Sequence, residues 1–87
     1  MPLIGQLHGG ITIHMYYFDH LPPHFHAKGA GWMIRINIAD VSVLTTSGSP
    51  PNGVERDLLT FTTQHQAALA LCWARCQDGV KPGKVTP

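Results

Sequence analysis

The sequence predicts an α+β fold in which a small antiparallel sheet of about three strands packs against one long C-terminal helix. Two stretches alternate apolar and polar residues with a period of two, which is the pattern of half-buried strands. A later stretch repeats its apolar residues every three or four positions, as one face of a helix does. Strands first and a single amphipathic helix last favour a sheet covered by a helix.

The strands are predicted over residues 10–18, 32–38 and 41–45. The second has the most regular alternation, with Trp32, Ile34, Ile36 and Ile38 on one face. The dipeptide Ala39-Asp40 is short enough to join the second and third strands as a hairpin. In the first strand, one face would carry the apolar residues Ile11, Ile13, Met15 and Tyr17.

The helix is predicted over residues 54–77. Asn52 is a favoured N-cap residue, and Glu55 follows at the spacing of a capping box. Gly79 is a natural helix stop, and the tail from 80 to 87 is expected to be loose. The apolar face would be formed by Leu58, Phe61, His65, Leu69, Cys72 and Cys76. Residues 1–87 are predicted to form a single domain.

The low charge of the chain limits its partners. Of the 87 residues only 13% are charged and the net charge is +1, against about 25% charged residues in ordinary domains. Binding to nucleic acid is therefore unlikely, because no basic surface is available to contact the phosphate backbone. We expect a surface this poor in charge to be covered by a protein partner or by a second copy, most simply as a dimer.

The sequence predicts a cytoplasmic protein that does not enter the membrane. No stretch reaches the roughly 18 apolar residues of a membrane span. Residues 1–6 lack the basic start and apolar run of a signal peptide. Cys72 and Cys76 lie four residues apart in the predicted helix, a spacing that argues against a disulfide between them.

The most informative segment is Asp19-His20-Leu21-Pro22-Pro23-His24-Phe25-His26. Histidine is the commonest metal ligand and titrates near neutral pH. If Phe25 enters the core, His24 and His26 project from the opposite side roughly 6.5–7 Å apart at Cα, close enough to share one ion. We expect both histidines to be accessible and Phe25 to be buried.

His20 joins the pair only if the chain turns at the prolines. Extended prolines at about 3.1 Å per residue would place it ~12 Å from His24, whereas a reversal, with or without a cis bond, would bring it back. Asp19 could orient an imidazole by accepting its second N–H. The candidate catalytic residues are His24, His26, His20, Asp19 and His65, and the candidate metal ligands are His24, His26 and His20.

Three interpretations of this segment stay open. The histidines could be hydrogen-bonded residues of a sheet edge, a metal-free binding or catalytic site, or a site for a divalent metal such as zinc or nickel. The spacing matches no closed zinc signature, and no fourth ligand is evident, so the sequence does not assign a cofactor. His65, which interrupts the apolar face of the helix, is most simply a core residue; a set of His65, Cys72 and Cys76 is sterically conceivable.

The segment from Gly10 to Ala27, with its Asp-His-x-Pro-Pro-His-Phe-His string, resembles a bacterial family catalogued as domain of unknown function 4160. Ile34-x-Ile36-x-Ile38 is similar to the family's second strand, and the helix landmarks His65, Leu69, Trp73 and Gly79 also match. The sequence departs from the pattern at Phe61, where relatives usually carry tryptophan. The resemblance implies a compact α+β domain and a neighbouring gene for a second small protein, an arrangement like that of toxin–antitoxin units.

The resemblance implies no particular reaction, and the residues are compatible with two functions of different class. The first is an interaction or regulatory module that contacts its partner through the histidine edge and the helix. The second is a histidine-dependent or metal-dependent enzyme, such as a ribonuclease-like toxin, in which two imidazoles exchange protons or hold a metal that activates water. The balance slightly favours the interaction module, because the only candidate transition-state clamps are Arg35, Lys28 and Arg56.

Overall fold

The computed structural model describes residues 2–86 and confirms an α+β fold with an antiparallel sheet, but with five strands and two helices. Each strand pairs antiparallel with the next, so the sheet runs in chain order from β1 to β5. The elements are β1 Leu3–Leu7, β2 Ile11–His14, β3 His24–Gly29, β4 Trp32–Asn37, β5 Ser42–Gly48, α1 Val54–Gln64 and α2 Gln66–Gln77.

The prediction of about three strands is wrong because it missed β1 and β3. β1 has five residues, and Gly5 and Gln6 leave too little apolar alternation to mark it. In β3 the apolar residues Phe25 and Ala27 do alternate with polar ones, but the histidines made the segment look like a site rather than a strand. The first predicted strand also ends early, at His14, and Phe18 adopts a left-handed φ of 55° beyond it.

The prediction of one continuous helix is also wrong, because the chain leaves helical geometry at His65, with φ −123° and ψ 23°. Just before this point Thr62 and Thr63 donate their hydroxyl protons back to the carbonyls of Leu58 and Leu59. Such back-bonds compete with the helical ladder and bend helices. Gln66 then fixes the start of α2 by donating to the carbonyl of Ile38 in the β4–β5 connection.

The structure contradicts the predicted N-cap of the helical region and confirms its predicted C-terminal stop. The N-cap of α1 is Gly53 rather than Asn52, and no side-chain cap is formed. Gly79, by contrast, ends α2 as predicted with φ 71°. Its N–H donates to the Cys76 carbonyl while the Val80 N–H donates to the Arg75 carbonyl, which is the Schellman pattern.

The core lies between the sheet and the helices. It contains Phe61, Trp73 and most of the two apolar strand faces that the sequence predicted, namely Ile11, Ile13, Met15, Trp32, Ile34, Ile36 and Ile38. Tyr17, which was predicted to share the face of the first strand, is exposed instead, because the strand ends at His14. Neither helix of the described chain has the length and apolar run needed to cross a bilayer.

The tail, predicted to be loose, has no helix or strand in residues 80–86 but packs against the domain. The Val85 N–H donates to the Ile4 carbonyl at 2.6 Å, and Val85 is buried. The Pro82 carbonyl accepts from the Arg75 guanidinium and the Cys72 thiol. These contacts replace the expected disorder, because they satisfy backbone groups that a loose tail would leave to water.

Candidate metal centre

The histidine segment is held at the junction of β2, β3 and the end of α2. The Asp19 carbonyl accepts from the Gln77 side chain at 2.8 Å, and the Phe18 N–H donates to the Cys76 carbonyl. The chain then reverses through Leu21–Pro22, which is a cis peptide, and enters β3 at His24. Asp19 is thereby fixed beside the first residues of β3.

His24 is buried, which contradicts the prediction that both histidines are accessible. Only 1% of it is exposed, because its ring lies 5.2 Å from that of Trp73 on α2. His26 is half-buried, with the edge of Tyr16 at a centroid distance of 4.6 Å. Phe25 is fully buried as predicted and meets Phe61 of α1 edge-on. The sequence could not show that a helix covers the histidine side of β3 as well.

One hydrogen bond places a proton on Nδ1 of the His24 ring. Its Nδ1 lies 2.6 Å from the Pro22 carbonyl oxygen, which can only accept, so Nδ1 carries the proton. In the neutral ring Nε2 is then a bare lone pair. A backbone carbonyl that orients an imidazole through its second nitrogen is the usual support of a histidine metal ligand.

The bare nitrogen faces a carboxylate. His24 Nε2 lies 3.0 Å from Asp19 Oδ2, and His26 Nε2 lies 3.6 Å from the same oxygen. Both nitrogens are buried and have no hydrogen-bond partner of suitable geometry. Two acceptors this close repel each other unless a cation lies between them, so the site needs either a proton or a metal ion.

The 3.0 Å between His24 Nε2 and Asp19 Oδ2 suits a shared metal ion, whereas the 3.6 Å between His26 Nε2 and the same oxygen is slightly longer than a shared ion would set. Ligand atoms at about 2.0–2.1 Å from one ion are separated by about 2.9–3.4 Å in octahedral or tetrahedral geometry. The three ligand atoms of Asp19, His24 and His26 all lie within 4.8 Å of one another, the one such group that residues 2–86 contain. Asp19, predicted to orient a ring from outside the ligand set, therefore occupies a ligand position.

His20 does not join this group. The turn brings its ring to 6.0 Å from that of His24, but its Nδ1 lies 3.1 Å from the other carboxylate oxygen of Asp19, and its side chain is 79% exposed. The candidate group that the structure brings together therefore contains Asp19, His24 and His26, whereas the predicted candidate set was His20, His24 and His26. The sequence offered a chain reversal at the prolines as one of two alternatives, but it did not indicate that the His20 ring would point towards solvent.

The remaining candidates lie elsewhere. His65 packs its ring 4.9 Å from Phe61, as a core-edge residue, and belongs to no ligand group of the described chain. Cys72 and Cys76 are free and buried, as their spacing predicted. Burial raises the pKa of both thiols, which keeps them protonated.

The electrostatics of the centre favour an ionised Asp19 and a neutral His26. Burial by itself raises the pKa of the Asp19 carboxyl, but the hydrogen bond from the His20 N–H and the charges of the neighbouring histidines outweigh it, and the net pKa is lowered. Burial lowers the pKa of His26, and a protonated His24 would lower it further, against the opposing effect of Asp19. Both groups therefore favour the forms that bind metal.

The metal-free protein is expected to lose stability on acidification. Because the pKa of His26 is lower in the folded chain, its contribution is present above the unfolded value of about 6.5 and is lost as the pH falls through the folded value. Asp19 adds a second loss at lower pH, below about 3.8. Thermal unfolding in chelator should show a melting temperature that falls between pH 7 and pH 5. His26→Asn should flatten this slope, and His8→Asn, at an exposed position, should not. Equal slopes in the two variants would contradict the assignment.

Comparisons with known proteins agree with the resemblance noted in the sequence. No curated protein and no solved structure matches the chain. A family model described as "Domain of unknown function (DUF4160)" matches residues 10–74, a range that includes the whole candidate centre. Since that range is most of the chain, the protein belongs to the DUF4160 family.

Proposed function

We propose that this domain binds one divalent transition-metal ion, zinc or nickel, through Asp19, His24 and His26. The observation that carries the proposal is the buried Nε2 of His24, which has no hydrogen-bond partner and lies 3.0 Å from the Asp19 carboxylate. A proton on that nitrogen would also relieve the contact. A metal ion would additionally supply a partner for the buried Nε2 of His26, which makes no hydrogen bond and lies near the same Asp19 oxygen.

The ligand chemistry supports the choice of ion. Imidazole suits zinc, copper, iron and nickel, and two histidines with one carboxylate leave coordination positions open. Zinc sites with three protein ligands and one open position are typical of enzymes, in which the ion lowers the pKa of a bound water. A metal-dependent hydrolytic role is therefore the enzymatic form of this proposal. The buried free thiols suit the cytoplasm that the sequence suggests.

Metal analysis of protein made without a histidine tag tests the proposal. We expect one zinc or nickel ion per chain, and Asp19→Asn should weaken the affinity at least about 100-fold, since even outer-shell changes cost about 10–100-fold. Asp57→Asn, which removes a carboxylate from the first turn of α1, is the matched control and should bind as the wild type does. Absence of stoichiometric metal, or equal binding by the two variants, would overturn the proposal.

A second candidate, the interaction module, is favoured by three apolar side chains at the protein surface next to the centre. Phe18 and Leu21 are 72% and 73% exposed, and Tyr17 is also exposed. Large apolar side chains clustered at the surface mark interaction sites. We propose that this apolar cluster, Tyr17, Phe18 and Leu21, joins two copies of the chain, whose net charge of +1 opposes association only weakly. A partner from the neighbouring gene, as the family resemblance implies, is the other occupant.

Light scattering at high concentration is expected to show a dimer that Phe18→Ser converts to a monomer, since truncating a central interface residue commonly costs more than ~1 kcal/mol. Leu71→Ser is the matched control, because Leu71 is exposed on α2 outside the cluster. A wild-type monomer would contradict self-association and leave the other partner as the occupant to test. Loss of the dimer in both variants would contradict the placement of the dimer interface at the apolar cluster.

A further inference from the structure

The sheet has charged residues of one sign only. Its five strands contain no aspartate or glutamate, and their only charged side chains are Lys28 on β3 and Arg35 on β4. These two cations could lie anywhere on the sheet, yet both lie near the histidines. The strand register shows that they do.

The pairing places these cations on the face of the sheet that carries the metal ligands. His26 is directly opposite Arg35 on β4 and opposite His14 on β2. Directly paired residues point to the same side of a sheet, as do residues two apart on one strand. His24, His26, Lys28 and Arg35 therefore share one face, and Arg35 is the cross-strand neighbour of a ligand.

Both cations are positioned by their neighbours. The Arg35 Nε–H donates to Thr45 Oγ1 at 2.9 Å, which orients the guanidinium, and its two terminal nitrogens make no hydrogen bond to any described residue. Lys28 donates to the Tyr16 hydroxyl at 3.2 Å, and the Tyr16 ring contacts His26 edge-on. The charge of Arg35 reaches the centre, since it contributes to lowering the pKa of His26.

We propose that this face binds the phosphate group of a small phosphomonoester, with one oxygen on the metal and two on the Arg35 guanidinium. The inference rests on the metal centre proposed above. A guanidinium matches two phosphate oxygens in its planar fork, and a hard phosphate oxygen fills the position that three protein ligands leave open on the ion. Asp19 is the one carboxylate of the centre, and the ion neutralises its charge.

The rest of the chain argues for a small ligand rather than a nucleic acid. A protein that follows a nucleic-acid backbone contacts several phosphates with several basic residues. Here 13% of the residues are charged and the net charge is +1, and the sheet offers two cations beside one metal centre. This number of positive charges suits one phosphate group and is too small to contact the successive phosphates of a nucleic acid.

The test uses the full chain loaded with one equivalent of zinc and titrated calorimetrically with phenyl phosphate or inorganic phosphate. We expect saturable binding of phenyl phosphate that Arg35→Gln weakens at least tenfold without changing the zinc content. Arg35→Lys keeps the charge but not the fork and should be intermediate. Arg56→Gln, which removes an exposed arginine from α1, should bind as the wild type does. Tighter binding of inorganic phosphate than of phenyl phosphate would overturn the assignment to an ester.

The outcomes separate this inference from the function on which it rests. Zinc binding without phosphate binding, or equal weakening by Arg35→Gln and Arg56→Gln, would overturn the phosphate site and leave the metal centre intact. Equal phosphate affinity with and without zinc would overturn the assigned role of the ion. Failure to bind zinc at all would overturn both. Circular dichroism of each variant excludes unfolding as the cause of a loss.

Discussion

Replacing His24 by alanine is expected to abolish stoichiometric binding of zinc or nickel. His24 supplies the one ligand nitrogen that is both fully buried and held by a backbone hydrogen bond, so its loss removes the preorganised part of the centre. The two remaining ligands, Asp19 and His26, hold an ion much more weakly. Dialysis against zinc followed by metal analysis should show a full equivalent in the wild type and a background level in His24→Ala.

Two histidines outside the ligand set provide controls. His20→Ala removes a ring that is close to Asp19 but exposed, and His8→Ala removes one that lies near α1. Both variants should keep the full equivalent of metal. His26→Ala is a second loss variant, at a position whose side chain is 12% exposed against 1% for His24. Full metal content in both His24→Ala and His26→Ala would eliminate the centre.

The sequence predicted the fold class and the strongest strand because local pattern and tertiary burial agree there. Trp32, Ile34, Ile36 and Ile38 are all buried, as their alternation indicated. The prediction failed where hydrogen bonds from side chains to the backbone determined the conformation. The break at His65 follows from two threonine side chains that bond to the preceding turn, and a pattern of apolar spacing does not contain that information.

The structure groups the candidate residues differently from the sequence interpretation. Sequence spacing identifies His24 and His26 as neighbours on one strand side, because alternation is local. It cannot determine that Asp19 rather than His20 lies with these two histidines, since that depends on how a reversed loop is anchored to the end of α2 by Gln77. The burial of His24 by Trp73 depends on the same tertiary contact. Long-range packing therefore determines which of these side chains meet, whereas the local sequence indicates only the segment in which they lie.

Replacing Phe25 by alanine is expected to destabilise the fold by about 3–5 kcal/mol, the usual cost of such a cavity in a packed core. Phe25 is fully buried and meets Phe61 edge-on, so it joins the sheet to α1. Domains commonly have about 5–15 kcal/mol of stability in total, and small ones have little to spare. Urea unfolding followed by tryptophan fluorescence should show a much lower midpoint with a similar slope.

Phe18→Ala is the matched control for this prediction, because it removes the same side chain from a position that is 72% exposed. Its effect on the monomer should stay within about 0.5 kcal/mol, as for most surface changes. Phe25 also separates the two histidine ligands along β3, so its loss should loosen the strand that holds them. Zinc at saturating concentration should then recover part of the lost stability of Phe25→Ala, since a ligand that binds only the folded state stabilises it. Equal unfolding midpoints for the two phenylalanine variants would show that Phe25 does not hold the sheet against α1.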